Sequence, residues 1–523
     1  NPDGRAGSHK ETFYTAFQLN HMISQKLFYE FKYSNVKNDF GSYLYEDPLD
    51  DRYIHDRYLE SYGPGFLTGG QSKDHTIRNT IDQTFKLDAT WQANHNHSFK
   101  SGLHYFSHDL DNQWHSIRNK FHNTASDSIY EPEIFGDTSA YADVYRVKPK
   151  EIAFYFQDKM EFDDMVINIG ARYDQFDPES IFPSDRRNPA NQLILPDSMT
   201  SNYPQAPVIE QISPRVGFAY QLGNQAVLHF SYGHFFQMPP MYAMYQNHSF
   251  LVDPNDFVTR MGNTLLEPEK TITYELGLWQ ELSRQASLDV ALFYRDIYNL
   301  LTTKTLSTYN QVKYGLYSNK DYGSARGLEV KLDLGFGPIK SMVNYTLQYT
   351  RGNADSPGQT FDRAGNNQDP VNRFIPMSWD QRHTLNGSLM YLKENSGITI
   401  TAYYNSGSPY TFSPQTESVL SRINLYPNND YRPEKYSVDG ALYRHFEIAN
   451  GLKATLEVNV YNIFDRLNEE WVNSQTGRAY TAVIRETDIA SHRSDFNDYD
   501  DRIQNPSMYS SPRSIKVALG INF

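Results

Sequence analysis

The chain has 523 residues and a mass of 60.5 kDa, with 39% hydrophobic, 21% charged and 15% aromatic residues. Its net charge of −14 argues against a general nucleic-acid binder, and the absence of cysteine excludes disulfides, zinc–thiolate sites and thiol nucleophiles. We find no run of 18 apolar residues, so the sequence predicts no transmembrane helix.

Alternation of apolar and polar residues recurs along most of the chain, and helical periodicity is almost absent. In the last segment Ile515, Val517 and Leu519 share one face, with Lys516 and Ala518 on the other. The alternating segments run for about 10 to 15 residues, whereas strands of soluble proteins usually run for about 5 to 6. We predict seventeen strands, at residues 11–20, 26–36, 78–91, 97–111, 150–161, 165–177, 213–221, 225–236, 270–281, 287–298, 323–335, 339–351, 381–392, 397–407, 435–447, 452–464 and 512–523.

The predicted connections alternate between tight turns and long polar stretches. Residues 163–164 and 223–224 are turn formers inside strand pairs, while stretches such as 37–77 and 465–511 separate the pairs. Alternation alone fits a soluble sandwich as well as a transmembrane barrel with a lipid-facing apolar side and a wet lumen. Strand length and the asymmetry of the connections favour the barrel. We predict an all-β fold, a large antiparallel transmembrane β-barrel, and leave open an extra hairpin at 304–317.

The number of predicted strands is odd, which bears on whether this chain holds all the strands of a closed barrel. The first and the last predicted strands both run toward the side of the tight turns. Because an antiparallel barrel closes with an even number of strands, we expect at least one further strand before residue 11. The chain also starts at Asn1, without Met or an apolar leader. We therefore expect residues 1–523 to be a barrel domain that is truncated at its N-terminus.

Five motifs resemble the barrel of TonB-dependent outer-membrane receptors, in the order in which that family carries them. They are SPRVGFAY at 213–220 with LHFSYGHFFQMPP at 228–240, LEPEKT at 266–271 with YELG at 274–277, SARGLE at 324–329, VYNIFD at 460–465, and PRS at 512–514 with the terminal Phe523. Together they cover about residues 210–523 and fall on strands that the alternation predicts independently. Residues 1–210 fit the family by architecture.

The resemblance implies a 22-stranded barrel with an N-terminal plug in its lumen, of which this chain would hold about strands 6–22. It implies a ligand-gated active transporter of the bacterial outer membrane that binds a scarce nutrient at its extracellular loops and imports it with TonB-coupled energy. The implied partners are outer-membrane lipid, the TonB complex through a plug outside this chain, and a small-molecule, glycan or peptide ligand. We expect a monomeric barrel, with a surface lipoprotein as a further candidate partner and no nucleic acid.

Two other functions stay open at this point: a passive outer-membrane porin, and a soluble β-rich surface binding protein. The transported substrate is not readable from the sequence. The net charge argues mildly against a strongly anionic ligand, although loop charges can be local.

The most apolar loop region follows the predicted strand at 225–236, so we expect it at the outer mouth, where a flat or greasy ligand would bind by burial. The candidate ligand residues are Phe235, Phe236, Met238, Met241, Tyr242 and Tyr245, with Trp379 and Trp471 in other long loops. The alternative is that these side chains pack the loops against one another or against the plug.

Metal and catalytic signals are weak. Asp495, Asp498 and Asp500 are calcium candidates in an acidic loop that lacks the EF-hand spacing. His95 and His97 lie at a predicted tight turn, which is a simpler interpretation than a metal pair. Because we find no nucleophile elbow, zincin motif or phosphate loop, we predict no catalysis and no cofactor.

Overall fold

The computed structural model describes residues 2–58, 70–414, 425–449, 452–483, 486 and 505–522. Seventeen long strands pair in antiparallel fashion in one sheet, which also takes in three short strands. The long strands are β1 (Gly7–Ser24), β2 (Leu27–Tyr43), β3 (Asp74–Gln92), β4 (His97–Ser116), β5 (Lys150–Glu161), β6 (Met165–Asp177), β7 (Ile209–Leu222), β8 (Ala226–Gln237), β9 (Glu269–Ser283), β10 (Ala286–Ser307), β11 (Lys313–Phe336), β12 (Ile339–Gly352), β13 (His383–Lys393), β14 (Ser396–Asn405), β15 (Lys435–Ala449), β16 (Leu452–Tyr461) and β17 (Ser514–Asn522).

The remaining elements are short. The sheet also takes in the strands Ala142–Val147, Arg260–Met261 and Ile375–Pro376, and separate two-residue strands occur at Arg118–Asn119, Pro132–Glu133, Pro409–Tyr410 and Asp430–Tyr431. The helices are α1 (Met241–Tyr245), α2 (Gln359–Gly365) and 3₁₀ turns at Pro2–Gly4, Asp56–Tyr58 and Pro506–Met508. No helix among the described residues has the length and apolar character needed to cross a membrane.

The predicted strands match the observed long strands one for one, with one correction. Residues 304–317 do not add a hairpin: β10 continues to Ser307 and β11 begins at Lys313, so this stretch is the outer tip of a single long hairpin. Buried and exposed side chains do not alternate at this tip, because neighbouring residues such as Leu316 and Tyr317 are both buried. The tip therefore packs on both sides instead of separating lipid from water.

Each long strand pairs with the next along the chain. Within the described residues β1 pairs with β2 and β17 with β16, and no ladder joins β1 to β17. Ser24 at the end of β1 pairs with Leu27 across a tight turn, and Asn522 in β17 pairs with Lys453 beside another. Both outermost strands thus run toward the tight-turn side, as the sequence predicts.

The register places apolar residues in rows on one face of the sheet. One row crosses eight neighbouring strands through Met160, Ile167, Phe218, Phe230, Leu276, Leu292, Leu328 and Leu347. The side of the sheet that carries Leu292 is uncovered by protein, since this side chain is 55% exposed. An uncovered apolar face of this extent requires a nonpolar surrounding, and the alternation fits a strand that crosses a lipid bilayer.

The opposite face is polar and defines the lumen side of the wall. There Thr12 donates a hydrogen bond to Asn38 at 2.8 Å, and the Tyr155 hydroxyl donates to Asp88 at 2.7 Å. Gly327 also lies on this face, where an added Cβ would come within 2.2 Å of the Leu347 carbonyl oxygen and 2.7 Å of the Phe293 ring. This glycine lets the Phe293 ring approach the backbone of the wall closely.

The long connections meet at the other end of the sheet from the tight turns. Part of them folds around a buried cluster, which we call the cap core. Its members are Leu110, Tyr145, Val147, Phe176, Ala243, Met244, Tyr245, Leu266, Leu301 and Tyr317. Because these residues come from strands and loops far apart in sequence, the cap core fixes the loops against the rim of the sheet.

Candidate ligand-binding site

The connection after β8 forms α1 and packs into the cap core. Pro240 precedes the helix, and Met244 and Tyr245 are buried. The Tyr245 hydroxyl donates a hydrogen bond to the backbone oxygen of Pro178 at 2.9 Å, which ties α1 to the end of β6. At 1% exposure Tyr245 offers no surface to a ligand, so its position is that of an anchor.

Tyr242 takes the opposite orientation on the same helix. Its ring is 44% exposed and lies edge-on to the Tyr317 ring at a centroid distance of 5.7 Å. A recess of about 440 Å³, which we call the mouth recess, opens beside it. The side chains that give this recess its chemistry are Arg78, Asn112, Trp114, Asp143, Tyr242 and Arg260.

Hydrogen bonds hold the polar side chains of the mouth recess in place. Arg78 Nε donates to Asn112 Oδ1 at 3.1 Å, and Asn112 Nδ2 donates to the backbone oxygen of Asp143 at 3.1 Å. Arg260 forms an ion pair with Asp362 of α2. Two guanidinium groups and the aromatic rings of Trp114, Tyr145 and Tyr242 surround one concavity. This combination suits a ligand that has a planar apolar surface and polar groups at its edge.

Asp143 is the carboxylate of the mouth recess, in the short strand outside the membrane-crossing wall. It accepts the backbone N–H of Asn247 at 3.0 Å, and no cationic side chain of the described residues lies within ion-pair distance of it. Burial raises the pKa of Asp143 from 3.8 to about 7. The recess therefore changes its charge near neutral pH. Burial also lowers the pKa of the neighbouring His248.

The other predicted ligand residues are dispersed. Phe235 lies on the lumen face of β8 with the Arg215 guanidinium 4.9 Å from its ring centre, and Phe236, the next residue along the strand, lies on the opposite face. Trp379 and Trp471 are exposed on two further loops. Met238 and Met241, partly buried, pack against the cap core. The structure thus brings Tyr242, but not the whole predicted set, to the mouth recess.

The metal candidates gain no support from the described residues. Asp495, Asp498 and Asp500 lie outside them. In the part of the chain that is described, no group of three or more His, Cys, Asp or Glu side chains is arranged to hold a metal ion. His97 lies at the tight turn between β3 and β4, with its Nδ1 atom 2.8 Å from a carboxylate oxygen of Asp158.

Sequence reasoning misses five of the six residues that give the mouth recess its chemistry: Arg78, Asn112, Trp114, Asp143 and Arg260. They belong to four separate segments, and no spacing rule links them. Trp114 lies beyond the predicted strand end at residue 111, although β4 extends to Ser116 and pairs with β3 up to that residue.

Comparison with known proteins decides the family. The model of the family described as "TonB dependent receptor-like, beta-barrel" matches residues 1–463, which is most of the chain. The chain belongs to the TonB-dependent receptor family. Its localisation is the bacterial outer membrane, so the apolar face of the receptor wall meets lipid and the long connections lie outside the cell.

Named relatives agree with this assignment. The ferrichrome outer membrane transporter/phage receptor of Escherichia coli (strain K12) is 24% identical over 328 residues, which are 62% of this chain and 35% of the relative. The crystal structure of the ferric-catecholate import receptor Fiu from K12 E. coli is similar with a TM-score of 0.54 and 13% identity, over 99% of this chain and 64% of that one. The structure of the pyoverdine outer membrane receptor FpvA from Pseudomonas aeruginosa PAO1 is similar with a TM-score of 0.59 and 14% identity, over 99% of this chain and 62% of that one.

The chain corresponds to only part of each of these relatives. The chain spans about a third of the length of the curated relative and less than two thirds of either solved receptor. At these identities the solved structures show the shared fold alone. They assign no ligand to this chain.

Proposed function

We propose that this chain is the barrel of an outer-membrane transporter that captures a small-molecule ligand at the mouth recess and passes it through the lumen. The energy would come from the TonB complex through a plug outside these residues. The observation that carries the proposal is the mouth recess: aromatic and charged side chains surround one concavity at the outer end of a TonB-dependent receptor wall.

The first ligand class to test is an organic chelate of ferric iron. The relatives named above are a ferrichrome transporter, a ferric-catecholate import receptor and a receptor bound to pyoverdine. Trp114 and Tyr242 would pack against the organic part of such a ligand, and Arg78 and Arg260 would meet its polar groups.

Uptake of labelled chelates tests this proposal. A host strain without the receptor gene and a complemented strain are grown in limited iron and given a panel of ⁵⁵Fe chelates. We expect uptake of at least one chelate to require both the receptor and a functional TonB gene. Uptake that depends on the receptor but not on TonB would contradict active transport.

Conductance separates the transporter from the passive porin. The purified full-length receptor is inserted into planar bilayers at fixed salt concentration. A plugged barrel should conduct almost no current, whereas a porin should show steady open-channel steps. Stable open channels in the untreated receptor would favour the porin.

A further inference from the structure

Two arginines lie on the lipid face of the wall, at the outer edge of its apolar band. On this face Leu328 of β11 is opposite Leu347 of β12, and the next pair toward the outer end is Arg326 opposite Tyr349. Arg351 follows two residues after Tyr349, so it is on the same face. The side chains of Arg326, Tyr349 and Arg351 are all exposed. We call Arg326 and Arg351 the rim arginines.

The height of the rim arginines matches the boundary between hydrocarbon and headgroups. Ten residue steps along β12 separate Tyr349 from Ile339, which follows a tight turn at the inner end of the wall. At about 3.3 Å per residue and a tilt of about 40°, this stretch rises about 25 Å, which is the usual height of the apolar band of a barrel. Tyr294 and Tyr349 lie opposite Arg326 on the two neighbouring strands, as in an interfacial aromatic girdle. The rim arginines therefore lie at the level of the headgroups of the outer leaflet.

The charges of the rim arginines are uncompensated within the described residues. Neither guanidinium has a carboxylate at ion-pair distance or donates a side-chain hydrogen bond there. Asp296 shares this face, but it accepts hydrogen bonds from the hydroxyl groups of Tyr294, at 3.0 Å, and Tyr322. The rim arginines are diagonal neighbours across the ladder, a relation in which Cα atoms are typically about 7–8 Å apart. Their positive charges therefore repel each other.

Another cation at the same height has a partner. Lys37 of β2 lies ten residues after Leu27, which follows a tight turn, and it is opposite the exposed Phe13 on the lipid face. Lys37 forms an ion pair with Asp39 at 2.9 Å. The rim arginines also face away from the lumen and belong to β11 and β12, in the middle of the sheet, so groups inside the barrel cannot reach them. Their lack of a partner is thus a local property of this surface.

The Tyr349 ring between the rim arginines is held from the side of the loops. The Arg382 guanidinium lies 4.2 Å from the centre of this ring, and its Nε is 3.2 Å from a carboxylate oxygen of the fully buried Asp380. The Tyr431 hydroxyl donates a further hydrogen bond to Asp380 at 2.9 Å. Since Arg382 is neutralised by Asp380, it positions the ring and leaves the two rim arginines as the free charges.

A lipid with an anionic headgroup fits this surface better than a soluble anion. Guanidinium groups bind phosphate oxygens through paired N–H donors. Directly below the rim arginines, Leu328, Leu347 and Tyr345 form apolar surface that acyl chains can cover. A soluble anion would use the charges alone, whereas a phosphate-bearing lipid would use both parts of the surface.

We propose that the rim arginines bind a phosphate group of a lipid in the outer leaflet of the outer membrane. Arg326 and Arg351 recognise the phosphate, Tyr349 borders it, and the leucine row packs against the acyl chains. The proposal rests on the membrane location of the wall and is independent of the proposed transport function.

Binding of lipid A, which carries phosphate on a sugar headgroup, tests the proposal. The purified full-length receptor in a neutral detergent is titrated with lipid A or with lipid A whose phosphates have been removed, and native mass spectrometry measures the bound fraction. We expect the phosphorylated lipid to bind at least about tenfold more tightly. Arg326→Gln and Arg351→Gln should each weaken its binding about tenfold, since each removes charge-assisted hydrogen bonds.

The matched control variant is Lys37→Gln, which removes a cation of the same face and height that already has a carboxylate partner. It should leave the affinity for lipid A unchanged. Inorganic phosphate at the concentration of lipid A should not displace the lipid, because it makes no contact with the apolar surface. Equal affinity for the two lipids, unchanged affinity in both arginine variants, an equal loss in Lys37→Gln, or displacement by inorganic phosphate would each overturn the proposal.

Thermal unfolding distinguishes lipid binding from a structural role of the arginines. Without lipid A, Arg326→Gln should be at least as stable as the wild type, because the repulsion between the rim arginines is relieved. Added lipid A should raise the unfolding temperature of the wild type more than that of Arg326→Gln. If the variant is less stable by the same amount with and without lipid A, Arg326 supports the protein structure and the proposal is wrong.

Discussion

Two tyrosines of α1, three residues apart, have opposite surroundings. Tyr245 is buried in the cap core and bonded to Pro178, whereas Tyr242 is exposed beside the mouth recess. Substitution should therefore separate an anchoring role from a ligand-contacting role.

Tyr242→Ala should weaken ligand affinity by about 1–2 kcal/mol, because an aromatic contact at the recess is lost, and leave unfolding unchanged. Tyr245→Ala should destabilise the cap by about 3–5 kcal/mol through the cavity it creates. A ligand titration measures the change in affinity. Urea unfolding, monitored by proteolysis of the loop after β8, measures the change in stability. Equal losses of stability in both variants would contradict the assignment.

Asp143 should make the loop that carries Asn247 sensitive to pH. When this loop opens, the carboxylate regains its ordinary pKa of 3.8, while in the closed form burial holds the pKa near 7. As pH rises from about 4 to about 7, the open form releases its proton first, so the closed form loses stability; above pH 7 the loss is complete.

Hydrogen exchange of a peptide that covers residues 246–251, corrected for intrinsic exchange rates, measures this dependence. Protection should be higher at pH 5 than at pH 8. Asp143→Asn should abolish the loss of protection toward pH 8, since the amide oxygen still accepts the Asn247 N–H. Protection should then rise with pH, because burial lowers the pKa of His248 and the closed form disfavours its protonated ring. A wild-type loop with the same protection at both pH values would refute the expectation.

At the residue scale, the sequence predicts the region of the site better than its members. The alternation and the apolar composition predict the segment after β8 at the mouth, and Tyr242 lies there. Whether Tyr242 or Tyr245 faces outward depends on the cap core, which is assembled from distant segments. For the same reason the sequence does not identify Asp143 as a residue of the site. Its burial arises from packing of the loop around Asn247.

At the scale of the strand, the two faces of the wall differ in what they tolerate. Val330 belongs to an apolar row on the lipid face, opposite Tyr345 of the next strand. Thr346 lies on the lumen face, opposite Glu329. The two positions are close together, so they provide a matched pair.

Val330→Arg should lower the free energy of unfolding by about 2–4 kcal/mol, because it places a charge in hydrocarbon near the midplane. Thr346→Arg should have little effect, since the new cation meets water and Glu329. Folding into lipid vesicles at increasing urea concentration, followed by heat-modifiable gel migration, measures both. The reverse order of stability would mean that the faces are assigned wrongly.

Alternation predicts the strands well where the wall separates lipid from water, as in β12 and β17. It fails where strands extend beyond the bilayer. At the tip of the β10–β11 hairpin, Leu316 and Tyr317 are both buried, so the contrast between faces disappears and the sequence suggests an extra hairpin. The physical cause is the change of surroundings along one continuous strand.

At the scale of the whole molecule, the net charge of −14 does not describe the wall locally. Acidic residues are spread over loops and wall, while Arg326 and Arg351 lie together without carboxylate partners among the described residues. The mild expectation against an anionic ligand comes from the sum of charges, and the sum carries no information on their placement.

These 523 residues contain no cysteine, so single introduced cysteines can map the orientation of this wall. Thr401→Cys places a thiol on the lumen face, and Ile400→Cys places one on the lipid face. A hydrophilic maleimide should label the first much faster, because its reaction requires a hydrated thiolate. Both variants should label equally after denaturation; faster labelling at position 400 in the folded receptor would contradict the barrel orientation.

The anchoring of α1 has a consequence for how a ligand is captured. Tyr245 fixes the helix to β6, and Asp143 fixes the segment that follows it. On this side of the mouth, little conformational entropy is left to lose upon association. Capture there should resemble docking onto a rigid surface, with affinity determined by complementarity of shape and by release of water instead of by the folding of a loop.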